Sequence, residues 1–457
     1  VPRRRLGHVD YAPFATVSAV VSVLFIVSTL GLVAAEVRFI SPLRRAGDRR
    51  ATAELTSSIW GVRLAGSLAA ALACLAWLSI PVTDLGFRLA AATACFALSR
   101  YVFQGTRSLL LPLGRAGAYG AYQVAGSVLF VGAFYLGYLL SGLVGGFVAA
   151  TVANGLLFLA AWRAVATIVP LSPRLIRGQR LEPLLRYNVL AFVGSIANGI
   201  RFWVPVWLVA AASGPRQAGF FGLAMQVLAI VIGLASAAQQ ALMPILAELD
   251  TDEEVERLAV WHGWMARYGA AVLVCAAIAW SFVGQPVLRL ALGTSFEPAF
   301  GPILLILVAA PLLVSGSANN SLHFVRERPL AAALNLGAAA LVTIGGVGVA
   351  VRAGSDLVAT RAAVAILVAA ALFWTTANLS VYLAERRWVG TFQSLLLLAP
   401  LAILWVAPRW PEGLPLRTLA GTAVVAVYLI VMFRLGALSR GELLYVWSLR
   451  RAPGSER

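Results

Sequence analysis

Lysine is missing from this chain, and all 36 of its basic residues are arginine. Acids are scarce as well: 19 stand against those arginines, which leaves a net charge of +17. Charged residues make up 12% of the chain, whereas a soluble domain carries about 25%. A chain so poor in charge cannot clothe a globule of this size in water. What it has instead is 60% hydrophobic residues and a mean hydropathy of +0.86. The apolar residues come in continuous runs of about 20, the length of a membrane-crossing helix. Barrel strands would alternate apolar and polar residues over about 10 positions. The fold class is therefore an all-α polytopic membrane protein. A basic excess in a soluble protein would point to nucleic acid; here it reads as the arginine-rich loops of a cytoplasmic face, with no nucleic-acid partner.

Other absences narrow the chemistry. The three cysteines, Cys74, Cys95 and Cys275, all fall inside apolar runs without metal-ligand spacing, so they read as small buried residues. No P-loop, Ser/His/Asp set, paired catalytic carboxylates or dinucleotide-binding glycine motif occurs. The glycine-rich "TIGGVGVAVRAG" (343–354) lies within a run, where small residues allow helices to approach closely. No enzymatic activity, cofactor or metal is implied. No cleavable signal peptide is visible, and the chain opens Val1-Pro2-Arg3 without a methionine. No loop exceeds about 25 residues, so no soluble domain is expected. A lipid-linked glycosyltransferase would be expected to carry a long acidic or histidine-bearing outer loop, and none is present.

Thirteen spans follow from hydropathy and length, near 12–33, 57–80, 89–111, 121–141, 142–162, 187–211, 217–243, 263–283, 300–323, 330–351, 361–383, 393–408 and 417–435. Ser141-Gly142 forms a tight turn, which makes the fourth and fifth spans a hairpin. If the spans alternate, "SPLRRAGDRR" (41–50), "SPRLIRGQRLEPLLR" (172–186), "RER" (326–328), "ERR" (385–387) and the tail "SLRRAPGSER" (448–457) share one side. That side, with the C-terminus, is cytoplasmic by the positive-inside rule. The opposite loops, such as "PVTDLGF" (81–87) and "PRWPEGLPLR" (408–417), are short and carry fewer charges, and the exception is Arg3–Arg5, which also fall opposite. The break near 163–186 separates two weakly similar halves: the stretch at 9–32 is echoed at 216–244, about 207 residues later. Paired repeats of this kind place a transport site between two bundles near mid-membrane.

Several polar residues fall inside spans. Arg201 shares a helical face with Gly194, Asn198 and Pro205, and Pro205 is expected to kink that helix. Arg201 either faces a hydrated cavity between the bundles or snorkels to the interface; the cavity is favoured. Arg100, Gln104 and Arg107 occupy one face at spacing i, i+4, i+7. Arg100 is the deepest of them and favours a cavity, whereas Arg107 favours the interface. Arg63 shares a face with Trp60 and Ser67, and the two readings balance. Asn319, Asn320 and His323 in "GSANNSLHF" (316–324) read as helix-to-helix hydrogen bonding; His323 has no second ligand at metal spacing. Gln239 and Gln240 near Pro244 are ambiguous. No carboxylate is expected deep in a span. Glu36 sits at a span end and is expected to pair with Arg38, although residues two apart on a helix do not face each other. The acidic "LDTDEEVERL" (249–258) reads as a capped helix start.

The segment at 184–249, "LLRYNVLAFVGSIANGIRFWVPVWLV…MPILAEL", resembles the seventh and eighth helices of the O-antigen and exopolysaccharide flippases. These belong to the multidrug/oligosaccharidyl-lipid/polysaccharide exporter superfamily. "LGHVDYAPFA" (6–15) resembles the stretch after their first helix, and 290–324 their eighth-to-ninth loop and ninth helix. The resemblance implies two six-helix lobes around a central cavity plus two further helices. On it, residues 1–168 form an N-terminal lobe lacking its first helix, 169–388 the C-terminal lobe, and 389–457 the two extra helices and a basic cytoplasmic tail. It also implies a bacterial inner-membrane flippase that moves a polyprenyl-pyrophosphate-linked oligosaccharide outward by alternating access, with a polymerase and glycosyltransferases as partners. Arginine suits the pyrophosphate, because its planar fork binds phosphate bidentately and keeps its proton. Arg201, Arg100, Arg107, Arg63, Gln104 and Asn198 are the expected substrate contacts. The competing readings are a multidrug cation antiporter, a membrane glycosyltransferase and a non-transporting scaffold.

Overall fold

A computed structural model describes residues 8–29, 31–79, 86–172, 182–246, 252–325, 328–354, 356–385 and 414–436, together with Leu175, Leu438 and Ser439. Arg3–Arg5, the span expected at 393–408, most of the 172–186 loop and the basic tail lie outside these residues. So do the side chains of Gln239 and Gln240 and of the acidic run at 249–258.

Eleven α-helices cover nearly everything described: α1 (His8–Thr29), α2 (Leu32–Arg45), α3 (Arg49–Leu78), α4 (Phe87–Ser108), α5 (Ala116–Ala166), α6 (Glu182–Leu246), α7 (Asp252–Leu292), α8 (Phe300–Val325), α9 (Pro329–Arg352), α10 (Val358–Glu385) and α11 (Leu414–Arg434). Eight are long and apolar enough to cross a membrane, and the chain is a multi-pass membrane protein. α4 is not among the eight, because its 22 residues carry Arg88, Arg100 and Arg107.

The helix boundaries have local causes. Gly31, in the left-handed region at φ 66°, separates α1 from α2; α1 answers to the span expected at 12–33, and α2 is a short basic helix that falls between two expected spans. Asp48 caps α3 by accepting from the Ala51 amide at 2.8 Å, a contact that contributes about 1 kcal/mol. α5 folds back on itself at Ser141 and Gly142, the latter at φ 67°, which is the expected hairpin. Below the turn, Gly137 and Gly145 meet backbone to backbone, and a Cβ on either would run into the other's carbonyl. α6 is interrupted only at Gly214 (φ 74°). Pro205 sits in helical backbone.

The helices form two packs. Val17, Val20 and Val21 of α1 join Cys74 of α3, Phe96 and Tyr101 of α4, and Phe147 of α5 in one core. Ala15 and Ala19, also on α1, join α6, α8, α9 and α10 in the other, around Phe220, Phe221, Ile303, Ile306 and Phe373. α1 is thus shared. Where the packs meet, the Ile26 side chain fills the space a Cβ on Gly199 would need, and Trp77 stacks on Trp207 with ring centres 5.6 Å apart. α11 packs on α7 through Phe282, Tyr428 and Met432. Outward-facing side chains such as Leu140, Leu290 and Leu341 are exposed, as expected of a surface whose solvent is hydrocarbon.

Candidate functional site

Two deep arginines, one in each pack, have opposite surroundings. Arg63 lies about midway along α3. Its Nη2 is 2.7 Å from Oε1 of Glu36 on α2, and both side chains are almost fully buried. Its Nη1 donates to the Gly105 carbonyl on α4 at 3.0 Å and to Ser108 Oγ. Ser108 Oγ in turn lies 3.1 Å from Glu36 Oε2. Gly105 lies against the Arg63 side chain, and a Cβ there would be in ordinary contact with its Cδ at 3.4 Å. A notch of about 170 Å³ lies beside the pair, lined by Trp60, Arg63, Ser67, Tyr101 and Thr106 among others.

This corrects one expectation. Glu36 pairs with Arg63 and not with Arg38, since a residue two positions along a helix points away. Glu36 is 0% exposed, on α2, which is not among the eight membrane-crossing helices. Removing either partner would leave a buried unpaired charge, which is why such pairs are costly to break.

Arg201 has no such partner. It lies 13 residues before the Gly214 break, about 20 Å along the helix, and is 3% exposed. Its Nη2 donates to Asn198 Oδ1 at 2.8 Å. The guanidinium lies between two rings, with Cζ 4.6 Å from the centre of Phe202 and 4.5 Å from that of Phe373 on α10. Nε and Nη1 have no hydrogen-bond acceptor, and among the described residues no carboxylate pairs with it. Two residues back, about 200° around the helix, Gly199 faces Ile26 of α1. Arg201 therefore points into the second pack, away from the place where α1 meets α6. Gly194, on the Arg201 face, meets Ala333 and Leu336 of α9.

The α4 stripe turns towards α5. Arg100 lies 5.7 Å from the Phe96 ring centre and 5.6 Å from that of Phe130. Arg107 lies over Tyr119 at 4.8 Å and is buried. Gln104 between them is half-buried. Aromatic faces attract the cation without cancelling its charge.

The asparagines bind helix to helix. Asn319 of α8 donates to Asn378 of α10. Asn335 of α9 donates to Asn320 Oδ1 at 3.3 Å and to Ser380 Oγ at 3.0 Å, and His323 Nε2 lies 2.8 Å from the same hydroxyl. Asn335, Asn378 and Ser380 escaped sequence reasoning, as did Phe373. Each is an isolated residue in an apolar run, and only the packing of α8, α9 and α10 brings them together.

The fold is that of several solved transporters. The lipid II flippase MurJ in an inward closed conformation matches with a TM-score of 0.62 at 11% identity, over 94% of this chain and 96% of that one. The Vibrio cholerae MATE transporter VcmN in the bent form matches at 0.59 and 13%, over 83% and 92%. An outward-facing multidrug resistance MATE family transporter of the MOP superfamily matches at 0.58 and 15%, over 82% and 89%. No curated protein sequence matches. The polysaccharide biosynthesis protein family matches residues 3–250, more than half of the chain, and the protein belongs to that family.

Proposed function

We propose that the protein is a flippase that carries a polyprenyl-pyrophosphate-linked oligosaccharide from the cytoplasmic to the outer leaflet of a bacterial inner membrane. It would act by alternating access of two lobes, 1–168 and 169–388, with the C-terminus in the cytoplasm. The family match and the likeness to a lipid II flippase support this reading. The observation that carries it is Arg201: a cation inside a long apolar helix, buried, with two nitrogens lacking acceptors and no neutralising acid among the described residues. Such a group is costly in a bilayer, by about 3 kcal/mol on insertion scales, and is retained where function needs it. An anion with several oxygen acceptors supplies what is missing. Arg100, set against the Phe96 and Phe130 rings, and Arg107, set against Tyr119, would extend the attraction along α4, with the neutral Gln104 between them. Arg63 would contribute less, because Glu36 already cancels its charge. The protein would need no catalytic group for this.

The test is translocation of a fluorescent polyprenyl-pyrophosphate oligosaccharide in proteoliposomes, with a cationic dye as counter-substrate. Arg201→Ala is expected to lower lipid translocation at least tenfold and to leave dye flux at background. Dye movement without lipid movement would replace the flippase reading with a cation antiporter.

A further inference from the structure

The two deep arginines differ in one chemical respect. Arg63 is held by a carboxylate at 2.7 Å, and Arg201 by a carboxamide at 2.8 Å. Glu36 holds Arg63 as an ion pair and Asn198 accepts a hydrogen bond from Arg201, but only the carboxylate removes the charge. We infer that Asn198 is the positioning residue of the Arg201 site, a neutral acceptor that aims the guanidinium while leaving its full charge for a phosphate-type anion. This rests on the flippase reading and adds to it the residue that keeps the site anion-selective.

The surroundings support the division of labour. The Phe202 and Phe373 rings lie 4.6 and 4.5 Å from the guanidinium carbon and take up none of its donors, and Nε and Nη1 are free of partners. Phe373 has little room to retreat, because a Cβ on Gly316 would sit 2.9 Å from its ring carbons. In-plane approach to two N–H groups is the geometry by which a phosphate oxyanion meets arginine. Asn198, one turn back on the same helix, holds the remaining nitrogen. An aspartate there would stand at the same distance and form an internal ion pair, making Arg201 resemble Arg63.

The predicted signature has two opposite signs. Asn198→Asp should raise the apparent melting temperature of the purified protein, because it neutralises a buried charge. It should also abolish the further rise that inorganic pyrophosphate produces in the wild type, and lower lipid translocation at least tenfold. Asn198→Ala should lower the melting temperature yet keep a pyrophosphate response, shifted to severalfold higher concentration. Loss of stability and of transport together in Asn198→Asp, with Asn198→Ala equally inert to pyrophosphate, would reduce Asn198 to a packing residue. Unchanged transport in Asn198→Asp, with Arg201→Ala inactive, would overturn this inference alone. Unchanged transport in Arg201→Ala would overturn the flippase site itself.

Discussion

Single residues decide the electrostatics of this protein. Glu36→Ala strands Arg63 in the interior and is expected to lower stability by about 3–5 kcal/mol. Replacing both partners with apolar residues of similar size, Glu36→Leu with Arg63→Met, should restore most of it. Chemical unfolding in detergent measures both, and equal losses in the single and double variants would show that the pair contributes nothing specific. This pair was not legible in the sequence. Glu36 and Arg63 lie 27 positions apart on different helices, and spacing rules speak only of neighbours on the same helix. The Asn198–Arg201 contact was legible for the opposite reason: i, i+3 residues share a face whatever the tertiary fold. Phe373, 172 positions further on, was not.

Within elements, the glycine positions set how closely helices meet. Gly142 turns α5 back on itself at a positive φ, and a side chain there costs about 1–2 kcal/mol. Gly137→Leu is expected to be worse, because it forces apart two backbones that touch. Cysteines placed either side of the hairpin should show the change as a longer spin-label distance, and an unchanged distance would mean the turn is set elsewhere. The hairpin could be read from the sequence because two apolar runs abut with only Ser141-Gly142 between them. The break at Gly31 was less visible, since apolar residues continue on both sides of it and only φ marks the end of α1.

At the scale of the molecule, α1 belongs to two cores at once. A motion that opens the packs by parting α1 from α6 would separate Ile26 from Gly199. In a background without Cys74, Cys95 and Cys275, a short thiol crosslinker joining Ile26→Cys to Gly199→Cys should stop lipid translocation, and cleaving the linker should restore it. Continued translocation in the linked protein would mean that the packs move without separating there.

The unequal treatment of the two arginines has an electrical consequence. The Glu36–Arg63 pair is neutral, so moving it along the membrane normal does no work against the transmembrane voltage. Arg201 carries a whole charge. A shift of 5 Å across a 30 Å hydrocarbon layer at 100 mV changes its energy by about 0.4 kcal/mol, about twofold in the balance of conformations. With the inside negative, the field draws the empty site inward. On the proposed function, a bound pyrophosphate dianion would reverse the net charge, and the same field would push the loaded site outward. Voltage would then drive both strokes of the cycle, through a gating charge that Arg201→Gln removes.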